Sequence, residues 1–207
     1  MLKLRKVSII ILAQAHNPSI ISPDWVRKVL LVKEAPSNFV HTPPFSLFDS
    51  ASFLLTVDIG RLELVPKVLD EEHISTCGQV ANAYFRTLPH IPYRSLGLNY
   101  IWEYSCEPSG KPLPRVKLVI DDLNLIRVFN GRSIKYGGSV RVEFKPFVLT
   151  MKIDYEDDRT IVFNYNFSYV IETARKAANM TKSLLSLKSR SQEITELMLT
   201  GGKAGNG

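Results

Sequence analysis

The spacing of apolar residues changes twice along this chain of 207 residues, and the change limits the possible folds more than any other feature. Before each change, apolar and polar residues alternate, which is typical of strands with one buried face. After each change, apolar residues recur at every third or fourth position, which is typical of an amphipathic helix. This order predicts an α+β fold in which antiparallel β-meanders form a twisted sheet with two long packed helices.

The first long helix is predicted from about Asp70 to Thr87. Carboxylates occupy its first turn, where they oppose the positive end of the helix dipole. Its apolar residues fall on one stripe: Ile74, Cys77, Ala81, Tyr84, Phe85 and Leu88. Because Cys77 belongs to this stripe, we expect its thiol to be buried and unpaired.

Shorter elements are predicted before this helix. Val7–Leu12 is apolar and rich in β-branched residues, so a short buried strand is expected there. Ser22 as N-cap and Pro23 as the first helical residue predict a short helix. Leu30–Lys33 is expected to pair as a strand. Phe39–Phe48 contains two consecutive prolines and is expected to be an irregular surface connection.

Alternation of apolar and polar residues predicts the other strands. They are expected at about Phe53–Ile59, Arg61–Leu64, Leu96–Tyr104, Val116–Ile120, Ile126–Phe129, Val140–Phe144, Leu149–Tyr155 and Ile161–Tyr169. Apolar residues at helical spacing predict a second helix at about Thr173–Lys188, and the helix is expected to break near Ser189–Ser191 before the stripe resumes at Ile194.

A candidate linker divides the chain. Glu107–Pro114 contains three prolines and one glycine, which favours an extended, irregular segment. It separates residues 1–106, with the first strands, a helix and a further strand, from residues 107–207, with the second meander and helix. Because the strands of both parts can belong to one sheet, we expect one continuous compact unit.

No complete catalytic, cofactor or metal motif is present. Phosphate-binding glycine patterns and a serine nucleophile elbow are absent. His73 and Cys77 share a helix face as a metal pair would, but the ligand set is incomplete and Cys77 belongs to the apolar stripe. We therefore expect no catalytic residue, no metal and no cofactor. An enzyme or small-ligand-binding domain without a linear motif remains an alternative, because catalytic groups can converge without one.

The positive charge is concentrated in the second half of the chain. The net charge is +6, and residues 105–207 hold sixteen lysines and arginines against eleven carboxylates. One basic cluster includes an aromatic residue that can stack on a base: Arg127, Arg132, Lys135, Tyr136, Arg141 and Lys145. Such a surface suits phosphate contacts, so a nucleic-acid-binding protein using this patch is a second hypothesis.

The leading hypothesis is a non-enzymatic interaction or assembly protein that binds a protein partner or another copy of itself. Phe45 and Phe48 stand beside prolines in a segment expected at the surface, and exposed aromatic residues are the usual anchors of an interface. No stretch approaches the roughly 20 apolar residues of a membrane span. We therefore expect a soluble cytoplasmic protein with no membrane partner.

Overall fold

A computed structural model describes residues 1–106, 113 and 138–200 of the chain. Nine antiparallel strands form one sheet in the order β2-β3-β4-β5-β1-β6-β9-β8-β7. The strands are β1 (Leu2–Ala13), β2 (Asn38–Thr42), β3 (Phe45–Asp49), β4 (Phe53–Asp58), β5 (Arg61–Pro66), β6 (Tyr93–Ser105), β7 (Gly138–Glu143), β8 (Val148–Tyr155) and β9 (Thr160–Val170). The predicted α+β class is confirmed.

The helices follow the strands as the sequence indicated. They are α1 (Pro23–Val29), α2 (Glu71–Thr87), α3 (Ala174–Met180) and α4 (Leu184–Leu199). Helix α2 contacts β5 and β1, and α4 contacts β6 and β9, so both long helices pack on the same sheet. Within the described ranges, no helix combines the length and the hydropathy needed to cross a membrane.

The prediction for α2 is confirmed almost to the residue. The Asp70 carboxylate accepts a hydrogen bond from the His73 backbone N–H at 2.8 Å, which caps the helix at its first turn. The helix ends at Thr87, and its apolar stripe is buried from Ile74 to Phe85, whereas Leu88 is the half-buried C-cap. Cys77 is buried and free, as the stripe predicted.

The second helix differs from its prediction in length and in the position of its break. The interruption is a 3₁₀ turn at Thr181–Ser183 that joins α3 to α4, and α4 runs to Leu199. The break predicted near Ser189–Ser191 is wrong. The Ser191 hydroxyl accepts from Trp102 Nε1 at 2.8 Å and donates to the Lys188 carbonyl at 2.7 Å, so the serine is satisfied inside a continuous helix.

Two expectations for the first half are also wrong. Phe39–Phe48 is not an irregular connection, because β2 and β3 form a hairpin within it. Its two prolines occupy the turn, where a missing backbone donor costs no ladder hydrogen bond. Leu30–Lys33 is not a strand, since Leu31 follows the end of α1 with a left-handed backbone (φ 58°) that breaks extended pairing.

The sheet has two different faces. The face under the helices is built from large apolar side chains of alternating strand positions, among them Ile9, Leu64, Leu98, Tyr100, Phe163 and Phe167. On the opposite face the central strands carry smaller polar residues. Asn166 Nδ2 donates to Asn99 Oδ1 at 2.6 Å, and a Cβ on the neighbouring Gly97 would lie only 3.3 Å from that Nδ2. This close approach explains why a residue without a side chain occupies that position.

Candidate interaction surface at the β2 edge

Among the residues that the structure describes, strand β2 is the outermost strand on one side of the sheet and pairs only with β3. None of its five residues is charged, and four of them are exposed. Edge strands of natural sheets usually carry charges that prevent pairing with another chain, as β7 does at the opposite edge with Arg141 and Glu143. Within the described part of the chain, the outer backbone groups of β2 therefore have no partner strand and lack that protection.

The hairpin of β2 and β3 is held by hydrogen bonds at its turn and by a hydrogen bond to Pro18. Thr42 and Phe45 are opposite each other across the two prolines, and Thr42 Oγ1 donates to the Phe45 carbonyl at 3.2 Å. Ser46 Oγ donates to the Pro18 carbonyl at 2.9 Å, so it accepts from the His41 Nδ1–H at 2.8 Å. These bonds hold β2 against β3 and require a proton on His41 Nδ1.

An apolar patch adjoins β2 on the sheet face turned away from the helices. We call it the edge patch, and its members are Val40, Phe45, Leu47, Leu54 and Val65. Val40 lies opposite Leu47, and Leu54 lies opposite Val65, so two apolar cross-strand pairs are diagonal neighbours. Val40 is 41% exposed. The apolar surface thus begins at the free edge and continues inward.

The carboxylates nearest to the edge patch have partners of their own. Asp49 pairs with Lys67 at 2.5 Å. Asp58 Oδ1 accepts from the backbone N–H groups of Gly60 and Arg61, both at 2.7 Å, and so stabilises the turn between β4 and β5. The carboxylates that border the edge patch are therefore either paired with a cation, as Asp49 is, or hydrogen-bonded to the backbone, as Asp58 is.

The structure separates the two phenylalanines predicted as interface anchors. Phe45 belongs to the edge patch and is half-buried. Phe48 lies on the other face, is fully buried and stacks on Phe53 with ring centroids 6.0 Å apart. Residues three apart in a strand point to opposite sides of the sheet, so the Phe45 and Phe48 rings lie on different surfaces. Phe48 is a core residue.

The alternative basic patch is described only in part. Arg141 and Lys145 are exposed at and beyond β7, and Arg141 Nη2 lies 3.7 Å from a Glu143 carboxylate oxygen. The other members lie outside the described residues: Arg127, Arg132, Lys135 and Tyr136. The candidate linker Glu107–Pro114 also lies outside them, apart from Leu113, as do the strands predicted at 116–129.

The pair considered for a metal does not converge. His73 Nδ1 lies 2.7 Å from the Asp70 carboxylate, whereas Cys77 is fully buried. Burial raises the pKa of the Cys77 thiol to about 12, so it stays protonated. Among the residues that the structure describes, no three His, Cys, Asp or Glu side chains are grouped as metal ligands.

Comparison with known proteins assigns no relative. No protein-family model matches the sequence, and no curated protein matches it at a significant level. The surface therefore has to be interpreted from its own chemistry. Sequence reasoning missed β2, although one signal was available: Asn38 to Phe48 contains no charged residue, which is unusual for a segment expected at the surface.

Proposed function

We propose that the protein is a non-enzymatic interaction protein that self-associates, with β2 of one copy pairing antiparallel to β2 of another. The observation that supports this proposal is the uncharged, exposed edge strand beside the apolar edge patch. Strand addition of this kind derives its affinity from backbone hydrogen bonds and its specificity from side chains on alternate positions.

A two-fold axis at Val40 gives chemically matched pairs. Val40 then lies opposite Val40 of the second copy, and Asn38 lies opposite Thr42, where amide and hydroxyl can hydrogen bond. Phe39 lies opposite His41, and these two rings already stack within one chain, with centroids 6.1 Å apart. The two edge patches become continuous across the junction. Such an interface is isologous and closed, so it yields a dimer and not a filament.

The test introduces a charge at the edge and measures the mass of the protein in solution by light scattering across a concentration series. The wild-type chain is expected to dimerise and Val40→Lys to remain monomeric, because a lysine at the two-fold axis faces its own copy. Ser139→Lys is the matched control, since Ser139 is exposed on β7 at the opposite edge. A monomeric wild-type chain, or a Val40→Lys chain that still dimerises, would contradict the proposal.

The Phe45 ring gives a second, independent measurement. Phe45→Ala is expected to weaken dimerisation with little change in the melting temperature of the monomer, because the ring is only half-buried in one copy. A loss of about 3–5 kcal/mol in the free energy of unfolding would instead show that Phe45 is a core residue. Increasing salt is expected to favour the dimer, because it screens the repulsion between two chains of charge +6.

A further inference from the structure

A groove lies between α2 and the C-terminal helices, away from the β2 edge. Its larger part, about 660 Å³, is bounded by the end of α1, by α2 and by the start of α4. Its smaller part, about 410 Å³, lies between the end of α2 and α3. Asn82, Arg86 and Lys182 line both parts, so we treat them as one site and call it the helix groove.

The cations of the helix groove have no carboxylate partner among the described residues. Arg86, Arg175 and Lys182 are exposed, and none of them lies within 4 Å of a carboxylate in the described part of the chain. No Asp or Glu lines either part of the groove. Elsewhere on the surface, cations such as Arg61, Lys176 and Arg190 pair with glutamates at 3.0 Å or less.

A neighbouring depression extends the same electrostatic character. It is lined by Arg27, Lys28 and Lys33 with Asp24 as the only acid, and it shares Leu31 with the helix groove. The helix groove and this depression are together lined by six cations and one carboxylate. An arrangement of this kind attracts an anionic ligand over several ångströms and accelerates its association.

The floor of the groove is aliphatic, and Leu31 extends from its rim. Val29, Ala83, Leu184 and Leu185 supply the floor. Leu31 is 77% exposed and has φ 58° at the position after the helix end, where glycine is normally favoured. A left-handed backbone is unfavourable for leucine, and this exposed side chain gains no core packing in return. Contact with an apolar part of a ligand would bury the Leu31 side chain.

The walls of the groove are fixed to each other. Asn82 Nδ2 donates to the Ala178 carbonyl at 2.5 Å and ties α2 to α3. Gly78 of α2 also lies against the start of α4, where a Cβ would be in ordinary van der Waals contact, 3.5 Å, with the Thr181 carbonyl and a Leu184 methyl. The site is therefore largely formed before a ligand arrives, which reduces the entropy lost on binding.

We propose that the helix groove binds an acidic, amphipathic segment of a partner protein. Its carboxylates would contact Arg86, Arg175 and Lys182, and its aliphatic side chains would lie on the floor beside Leu31. Nucleic acid fits less well, because stacking on bases needs exposed aromatic rings, and Phe85, the aromatic residue of the lining, is fully buried. The proposal does not depend on β2 pairing, because the two surfaces share no residue.

The test uses a fluorescein-labelled synthetic peptide with leucines at helical spacing and glutamates elsewhere, followed by fluorescence anisotropy with the full chain. Binding is expected to weaken as salt is added and to be weakened about tenfold or more by the double reversal R86E/K182E. The matched control R141E/K145E changes the net charge equally but alters the far edge of the sheet, and it is expected to retain binding. A peptide with serines in place of the leucines is expected to bind more weakly.

Leu31→Asn separates binding from folding. Asparagine tolerates a left-handed backbone, so the melting temperature is expected to stay equal or rise, while affinity for the leucine peptide falls. The proposal is overturned if the peptide does not bind, if R86E/K182E and R141E/K145E have equal effects, or if a labelled oligothymidine binds the groove more tightly than the peptide. The last result would assign the groove to nucleic acid.

Discussion

Helices α2 and α4 have similar lengths, 17 and 16 residues, and lie on the same sheet, but different interactions hold them there. The buried side chains of α2 are almost all apolar: Ile74, Cys77, Val80, Ala81, Tyr84 and Phe85. Half of the buried residues of α4 are polar, since Ser191 and Thr195 accompany Leu184 and Leu187. Apolar packing therefore attaches α2, and hydrogen bonds contribute much of the attachment of α4.

The polar groups under α4 are supplied by aromatic side chains of the sheet. Tyr100 OH donates to the Leu184 carbonyl at 2.6 Å, Trp102 Nε1 donates to Ser191 Oγ at 2.8 Å, and Tyr165 OH lies 2.7 Å from Thr195 Oγ1. Thr195 Oγ1 donates to the Ser191 carbonyl at 2.8 Å, so Tyr165 OH is the donor to Thr195, and burial raises the pKa of this phenol to about 12, which keeps it protonated. Packing allows small rotations of a helix, whereas directional bonds fix one rotation and one register.

The largest effect is expected from removing apolar volume under α2. Phe85 is fully buried, and Phe85→Ala is expected to lower the free energy of unfolding by about 3–5 kcal/mol in urea titrations, because it removes transfer energy and leaves a cavity. Gln79→Ala, at an exposed position of the same helix, is the control for a substitution that removes no core volume. A loss below about 1 kcal/mol, within the range of surface substitutions, would show that apolar packing does not hold α2.

A smaller effect is expected from removing one hydrogen-bond acceptor under α4. Ser191→Ala leaves the buried Trp102 N–H without its partner and is expected to cost about 1–3 kcal/mol of unfolding free energy. Ser189→Ala, at an exposed position of the same helix, is expected to be neutral. Replacing Trp102 with Phe as well removes the orphaned donor, so the double variant should lose less than the sum of the single losses. If the loss in the double variant equalled the sum of the two single losses, a direct hydrogen bond between Trp102 and Ser191 would be contradicted.

The smallest effect on stability near neutral pH is expected from the hydrogen bond between His16 and Tyr84 of α2. His16 Nε2 lies 3.2 Å from the Ile11 carbonyl and donates to it, which leaves Nδ1 to accept from Tyr84 OH at 3.0 Å. Burial lowers the pKa of His16 below its ordinary value, and the hydrogen bond to the Ile11 carbonyl and the charge of Asp58 offset this only in part. The unfolded chain therefore binds more protons than the folded one once the pH falls below about 6.5.

Protonation of His16 is therefore expected to cost no stability above about pH 6.5, and the free energy of unfolding is expected to fall as the solution is acidified. His16→Gln keeps a donor and an acceptor without titrating, so urea midpoints at neutral and mildly acidic pH should differ less in the variant than in the wild-type chain. Equal differences in both proteins would show that His16 does not contribute to the pH dependence.

The difference between α2 and α4 also explains why the sequence predicted some elements and missed others. Helix α2 has an N-cap, an acidic first turn and an uninterrupted apolar stripe, so its bounds were predicted from composition and spacing. Helix α4 buries Ser191 and Thr195, which resemble surface residues until their aromatic partners on distant strands are known. The β2–β3 hairpin was missed because consecutive prolines normally interrupt a strand, and here they form the turn.

The candidate sites were even less predictable from the sequence. Arg86, Arg175 and Lys182 come from α2, α3 and the turn before α4, so no linear pattern places them together. Phe45 and Phe48 are close in sequence and lie on opposite faces, which becomes clear only once the segment is known to be a strand. Local spacing predicts the faces of single elements, whereas a surface also depends on which elements become neighbours.

The central position of β1 has a consequence for synthesis on the ribosome. This strand pairs with β5 on one side and with β6 on the other, so it joins the two parts of the sheet. Translation at roughly 5–20 residues per second delivers β6 several seconds or more after β1. During that interval Val7, Ile9 and Ile11, all fully buried in the finished fold, have no complete apolar environment. The nascent chain is therefore expected to depend on chaperones or rapid local collapse until β6 emerges.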